Sequence, residues 1–193
     1  MKNVYMDYSA TTPVKKEVLD AMLPYFSEHF GNPSSLYSIA QESKEALEKA
    51  RGQVASLIGA KANEVFFTAG GSEADNWALE GVADALKDKG NHIITTKIEH
   101  HAILHTAEYL EKHGIDVTYL DVDAEGRVNP EDVEKAITDK TVLISIMMVN
   151  NEVGTIEPIK EIAEIAHNHG ILLHTDAVQA LGSATLFMAV LRK

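Results

Sequence analysis

Cysteine is absent from these 193 residues, so no disulfide can form among them and no thiolate can act as a nucleophile or metal ligand. Positive charge is scarce. Lys and Arg number 17 against 29 Asp and Glu, a formal net charge of -12. Phosphate backbones are held by clustered Lys and Arg, so neither nucleic acid nor an anionic membrane surface is an expected partner. Long apolar runs are missing too. The longest, Val142 to Val149, contains Ser145 and is far shorter than the roughly 20 residues of a membrane-spanning helix. The stretch MKNVYMDYSATTP at the start lacks the apolar centre of a secretory signal, and the cytoplasm is the expected location. No internal repeat, low-complexity tract or linker stands out. What is present is a 45% hydrophobic composition, enough to bury one good core, with one domain as the default.

Short strand-like segments alternate with amphipathic helical ones. Val65–Thr68, His92–Thr95, Val117–Leu120, Val142–Met148 and Ile171–Thr175 are rich in β-branched or apolar residues. Between them Glu73–Lys87, His101–His113, Pro130–Ile137 and Ile159–His169 carry a helical period. This alternation predicts βαβ units and a mainly parallel sheet. The near-continuous apolarity of Leu143–Val149 suits a central strand covered on both faces. The first sixty or so residues differ: an extended lead, a helix near Lys15–His29, a turn at Gly31–Ser35 and a long helix Ser38–Ile58. Pro33 holds Asn32 in an extended or turn conformation, which supports the break. Gly90, Gly114 and Gly170 sit just past helical stretches, where left-handed caps are expected.

Four segments could carry chemistry. In Phe66–Asn76 a strand-like run enters Gly70-Gly71, and Ser72 opens a helix. Free amides at a helix start, with glycines permitting close approach, suit a phosphate. An ordinary capped helix, Ser72 as cap with Asp75 three residues on, is the alternative. No G-x-G-x-x-G occurs. In Glu99–His105 a histidine follows a strand, placed to act as a base or to stack on a ligand. His101 and His105, four apart, could form half a metal site, or simply be solvated. In Val149–Gly154 the paired amides Asn150-Asn151 bind a ligand's polar edge or satisfy a turn. In Ile171–Gly182 an apolar run ends at Asp176, with Gln179 behind it; a carboxylate buried there needs a cationic or hydrogen-bonding partner. Each signal is weak alone. All four lie at expected carboxyl ends of strands, which in such sheets converge on one crevice.

The chain resembles the N-terminal half of a cysteine desulfurase of the NifS/IscS type, within the class V aminotransferase group of pyridoxal phosphate enzymes. The matching stretches are YMDYSATTPV (5–14), FGNPSS (30–35), FTAGGSEADN (67–76), IEHHAIL (98–104), SIMMVNNEVGTI (145–156) and HTDAVQALG (174–182). The resemblance implies an α/β fold: a three-layer, mainly parallel sheet, the incomplete large domain of an aspartate aminotransferase-like enzyme. It implies a lead at 1–15, a cofactor-binding domain at 16–182 and a departing tail at 183–193. It also implies roles. Gly71 and Ser72 hold the cofactor phosphate. His100 stacks on the ring and moves protons. Asn151 lies near the ring hydroxyl and the substrate, Asp176 pairs with the pyridine nitrogen, and Gln179 hydrogen-bonds the ring oxygen. His101 receives no role, and no metal is expected.

The implied reaction takes sulfur from L-cysteine, leaves alanine, and passes a persulfide to an iron–sulfur scaffold or another sulfur acceptor. The family's enzymes are homodimers. The chemistry needs a lysine to anchor the cofactor and a cysteine to receive sulfur. No Ser-x-His-Lys motif occurs here, there is no cysteine, and Lys193 is the only lysine after Asp176. The favoured expectation is a truncated product that is inactive alone. The alternative is a non-catalytic or split-enzyme subunit that binds pyridoxal phosphate or another phosphorylated ligand and pairs with a lysine-bearing chain. The apolar tail Leu186–Leu191 is an odd free end and is expected to favour burial or association.

Overall fold

The computed structural model describes residues 3–181. The tail at 183–193, about which the sequence raises expectations, lies outside them. The described residues fall into two compact units, one ending at Phe67 and one beginning at Thr68, and each is taken by itself.

The first unit is helical: α1 Lys16–Met22, α2 Pro24–Ser27, α3 Ser38–Ile58 and a single 3-10 turn at Ala62–Glu64. The single helix expected over Lys15–His29 is two. Pro24 opens α2; a proline has no N–H to donate to the preceding turn and crowds it, so the helix restarts there. Helix α3 ends at Gly59 in the left-handed conformation (φ 71°), where a glycine escapes the Cβ penalty. Beyond it, the Arg51 guanidinium donates to the Val65 carbonyl and lies 5.1 Å from the Phe67 ring centroid. Val65–Thr68, expected as a strand, is extended at Val65 but pairs with no strand among the described residues. Apolarity makes a segment extended; only a neighbouring ladder makes it a strand.

The second unit carries the sheet. Helix α4 (Gly71–Ala85) leads to β1 (His92–Thr96), then α5 (His101–Glu111), β2 (Asp116–Leu120), α6 (Pro130–Ala136), β3 (Thr141–Ser145), α7 (Ile159–Asn168) and β4 (Leu172–His174). The strands are parallel in the order β2-β1-β3-β4. This is the doubly covered α/β sheet that the alternation predicts. Successive residues explain its layers, because side chains alternate across a strand. Ile93 and Leu143 join Leu79 and Ala83 of α4 and Ile103 and Leu110 of α5 on one face. Ile94 and Ile144 join Val133 of α6 and Ile162 and Ala166 of α7 on the other. Strands β1 and β3 are buried throughout, while β2 and β4 are partly open.

Gly114 and Gly170 take positive φ (92° and 67°) as expected of caps. Gly90 does not. A Cβ there would stand 2.7 Å from the Lys140 carbonyl carbon, and nearer still to its oxygen. This glycine lets two backbones approach where His92 donates its amide to the same carbonyl (3.0 Å).

Candidate functional site

From β1 the chain goes outward to β2, then crosses back past β1 to reach β3. The loop after β1 therefore leads to α5 on one face, and the loop after β3 leads to α7 on the other. Between neighbouring parallel strands whose loops part in this way a crevice opens at their carboxyl ends. His100 follows β1, Asn151 follows β3 and Asp176 follows β4, so the three loops share one edge of the sheet.

Helix α4 brings its start to the same edge. A Cβ on Gly71 would come within 2.8 Å of a Val178 methyl, which places the helix N-terminus against the Asp176 loop. One turn further, Asp75 faces His174 of β4 (3.5 Å), and the other nitrogen of that imidazole meets the Ser145 hydroxyl of β3 (2.9 Å). All three residues are buried or largely so. Ser145 is inaccessible, so the trio clamps α4 to the sheet and offers no nucleophile. The serine cap, the alternative reading, does not form: the helix cap is Gly70, with no side-chain cap hydrogen bond among the described residues. Ser72 is exposed, and among the described residues no side chain caps the first-turn amides. The first turn of this 15-residue helix already carries one acid, Glu73, whose carboxylate reaches back to the Ala69 amide (2.5 Å); the amides of Gly71 and Ser72 beside it suit a further anion.

His100 is the cap of α5. Its Nδ1 accepts the Ala102 amide at 3.1 Å, which requires the proton of the neutral ring to sit on Nε2. His101 and His105 stand exposed with stacked rings, centroids 5.2 Å apart. Among the described residues no group of three or more potential metal ligands gathers.

The two amides after β3 divide their work. Asn150 is buried and performs the turn: its Oδ1 accepts the Glu152 and Val153 amides (2.9 and 3.0 Å), and its Nδ2 donates to the Ile98 carbonyl (2.8 Å). Asn151 is half-buried, and its Nδ2 donates to the neighbouring Glu152 carboxylate. Nothing in the local sequence distinguishes which asparagine turns inwards.

Asp176 is 8% exposed. Its Oδ1 accepts the Val178 amide (2.9 Å) and its carbonyl accepts the Met148 amide (2.8 Å). No Lys, Arg or His pairs with its carboxylate among the described residues. A buried carboxylate with one amide bond and no cation suits a protonated ring nitrogen. Gln179 lies half-buried in the turn behind it.

Sequence reasoning missed Glu99. It is buried, accepts the Met147 amide and the Thr96 hydroxyl, and burial pushes its carboxyl up to about 8, with nearby Asp176 and Glu157 adding to the rise. As an acid ahead of a helix it carried no signal of its own, because its partner lies on another loop.

Known proteins resemble this chain in both sequence and structure. The cysteine desulfurase IscS of Clostridium botulinum (strain Kyoto / Type A2) is 65% identical over 181 residues, 94% of this chain and 46% of that protein. Among solved structures, a NifS-like protein superposes with TM-score 0.94 at 40% identity, over 97% of this chain and 52% of its own. SspA in complex with cysteine superposes with TM-score 0.89 at 44% identity, over 91% and 51%. The chain thus spans about half the length of the relatives it matches. The aminotransferase class-V family matches residues 4–191. On that match over nearly the whole sequence, this chain belongs to the aminotransferase class-V family, whose members depend on pyridoxal phosphate.

Proposed function

We propose that this chain forms the cofactor side of a cysteine desulfurase, a pyridoxal phosphate-dependent protein that takes sulfur from L-cysteine and leaves alanine. One juxtaposition carries the reading: the uncapped start of α4 lies against the loop of Asp176, a buried carboxylate with no cationic partner among the described residues. The helix end suits a phosphate dianion and the carboxylate suits a pyridinium, the two charged ends of this cofactor. The space at Gly70, where a Cβ would meet nothing within 4 Å among the described residues, is consistent with such a group at the helix start.

Gly71 and Ser72 would hold the phosphate, through a backbone amide and a hydroxyl. Asp176 would keep the ring nitrogen protonated, and Gln179 would hydrogen-bond the ring oxygen. Asn151 is assigned to the ring hydroxyl and the substrate. His100 is assigned to the ring and to proton movement at Nε2, since Nδ1 is engaged by its own helix. When bound, the cofactor supplies an electron sink for charge developing on the substrate. Residues 16–182 make up the cofactor-binding domain in this reading. Its partners are a second copy or a complementing chain, and a sulfur-acceptor protein of iron–sulfur assembly, in the cytoplasm. Among the described residues no helix is long and apolar enough to cross a membrane.

Anchoring the cofactor and receiving sulfur need a lysine and a cysteine. These 193 residues hold no Ser-x-His-Lys and no cysteine, so the chain alone is expected to release no alanine. The test is a chimera joining this chain to the remainder of the Clostridium botulinum relative, assayed for alanine from L-cysteine. Activity that disappears with Asp176→Asn is expected. A chimera that folds and takes up pyridoxal phosphate but releases no alanine would refute the reading.

A further inference from the structure

The loops after β1 and β3 part at the crevice, and something must hold them in register. Two side chains do so, reaching in opposite directions. From the β3 side, Asn150 sends its Nδ2 to the Ile98 carbonyl (2.8 Å). From the β1 side, Glu99 receives the Met147 amide on both carboxylate oxygens (3.1 and 3.0 Å), while Thr96 donates its hydroxyl to Oε1 (2.7 Å). Glu99 is 5% exposed and Met147 1%. The next residue, Met148, donates its amide to the Asp176 carbonyl (2.8 Å). A continuous path therefore runs from the residue before His100, through the β3 end, to the acid after β4.

We propose that Glu99 is a positioning residue, holding the loop that carries His100 in register with the loops that carry Asn151 and Asp176. The inference rests on reading this edge as the cofactor pocket. Glu99 touches neither ring nor substrate in this account; it acts through the backbone. The acidic groups around it are Asp176 and Glu157, and no cation joins them among the described residues. Burial pushes its carboxyl up to about 8, which favours the neutral form beside Asp176 at neutral pH. A glutamine can accept the amide and the hydroxyl together on its one carbonyl oxygen, as Glu99 Oε1 does, without charge, while its Nε2 accepts neither. An alanine leaves a buried N–H unpaired at Met147.

The test compares Glu99→Gln and Glu99→Ala with the parent in the 193-residue chain. The first readout is affinity for pyridoxamine 5'-phosphate, followed by the probe's own fluorescence; as an amine it cannot condense with surface lysines. The second is residue-resolved amide hydrogen exchange. Glutamine is expected to keep affinity within about threefold, and alanine to lower it roughly tenfold or more. In Glu99→Ala the amides of Met147 and Ala102 are expected to exchange at least about tenfold faster, with those of Ile94 and Leu143 unchanged. Parent-like exchange at Met147 and Ala102 in the alanine variant overturns the proposal. So does acceleration spread evenly through β1 and β3, which marks a general loss of stability. A parent chain that fails to bind the probe sinks the cofactor reading alone, because the exchange data decide the loop linkage separately.

Discussion

Neutralising Glu99 should change how stability depends on pH. Its carboxyl has an ordinary value of 4.5 in the unfolded chain and about 8 in the fold, raised first by burial. The folded state therefore holds this proton more tightly than the unfolded state. Its contribution is fully present below pH 4.5 and is lost as pH rises through about 8. Each pH unit in that window is worth about 1.4 kcal/mol, so on the order of 3–5 kcal/mol separates the two ends. A domain has roughly 5–15 kcal/mol in total, so the alkaline loss is a large share. Glu157, also raised chiefly by burial, adds a loss of the same sign. His92, lowered by burial, acts oppositely: its cost appears as pH falls below 6.5. Glu99→Gln cannot titrate, so it should flatten most of the alkaline fall and leave the smaller slope of Glu157. The assay is urea unfolding at pH 5, 7 and 9, read by fluorescence of Trp77, the only tryptophan and a residue of α4. At pH 9 the glutamine variant should unfold at a urea midpoint at least about 1 M above the parent, and the two should converge at pH 5. Parallel curves at all three values would show that Glu99 is not buried as described.

Other substitutions separate scaffold from site. Gly90→Ala drives a Cβ into the Lys140 carbonyl and displaces the backbone that His92 bonds; a loss of about 2–4 kcal/mol is expected. Gly81→Ala, on the exposed face of α4 where the new Cβ meets, among the described residues, only Trp77 at 3.7 Å, should instead gain up to about 1 kcal/mol. The same urea assay checks both signs. Ile144→Ala, at a position with no exposure between the sheet and its helices, should cost about 2–5 kcal/mol. His174→Asn breaks the link from Asp75 to the sheet and should weaken pyridoxamine phosphate binding more than it shifts the urea midpoint, which titration and unfolding on one sample will show.

Much of the sheet was legible because its signals are local. Apolar runs gave β1 to β4, and Gly114 and Gly170, with positive φ, marked the ends of α5 and α7. The helix expected over Lys15–His29 divides for a local reason, Pro24, whereas two other errors share one cause, dependence on residues distant in sequence. Val65–Thr68 has strand composition but no ladder neighbour. Gly90 looks like a cap, yet its reason is Lys140, fifty residues on. The site follows the same division. Gly71, Ser72, His100 and Asp176 announce themselves by position, each at a helix start or strand end. The side chains that hold those elements together do not: Glu99 meets Met147 across 48 residues, and Asn150 meets Ile98 across 52. Nothing in either segment alone distinguishes such a pair from surface polar residues.

The most direct test of the central claim is a titration of the purified chain with pyridoxamine 5'-phosphate at neutral pH, beside Ser72→Ala and Asp176→Asn. Saturable binding at one site is expected, weakened roughly tenfold by each substitution because one removes a phosphate donor and the other the partner of the ring nitrogen. Binding that is absent, or indifferent to both changes, would contradict the assignment of this edge of the sheet as a cofactor site.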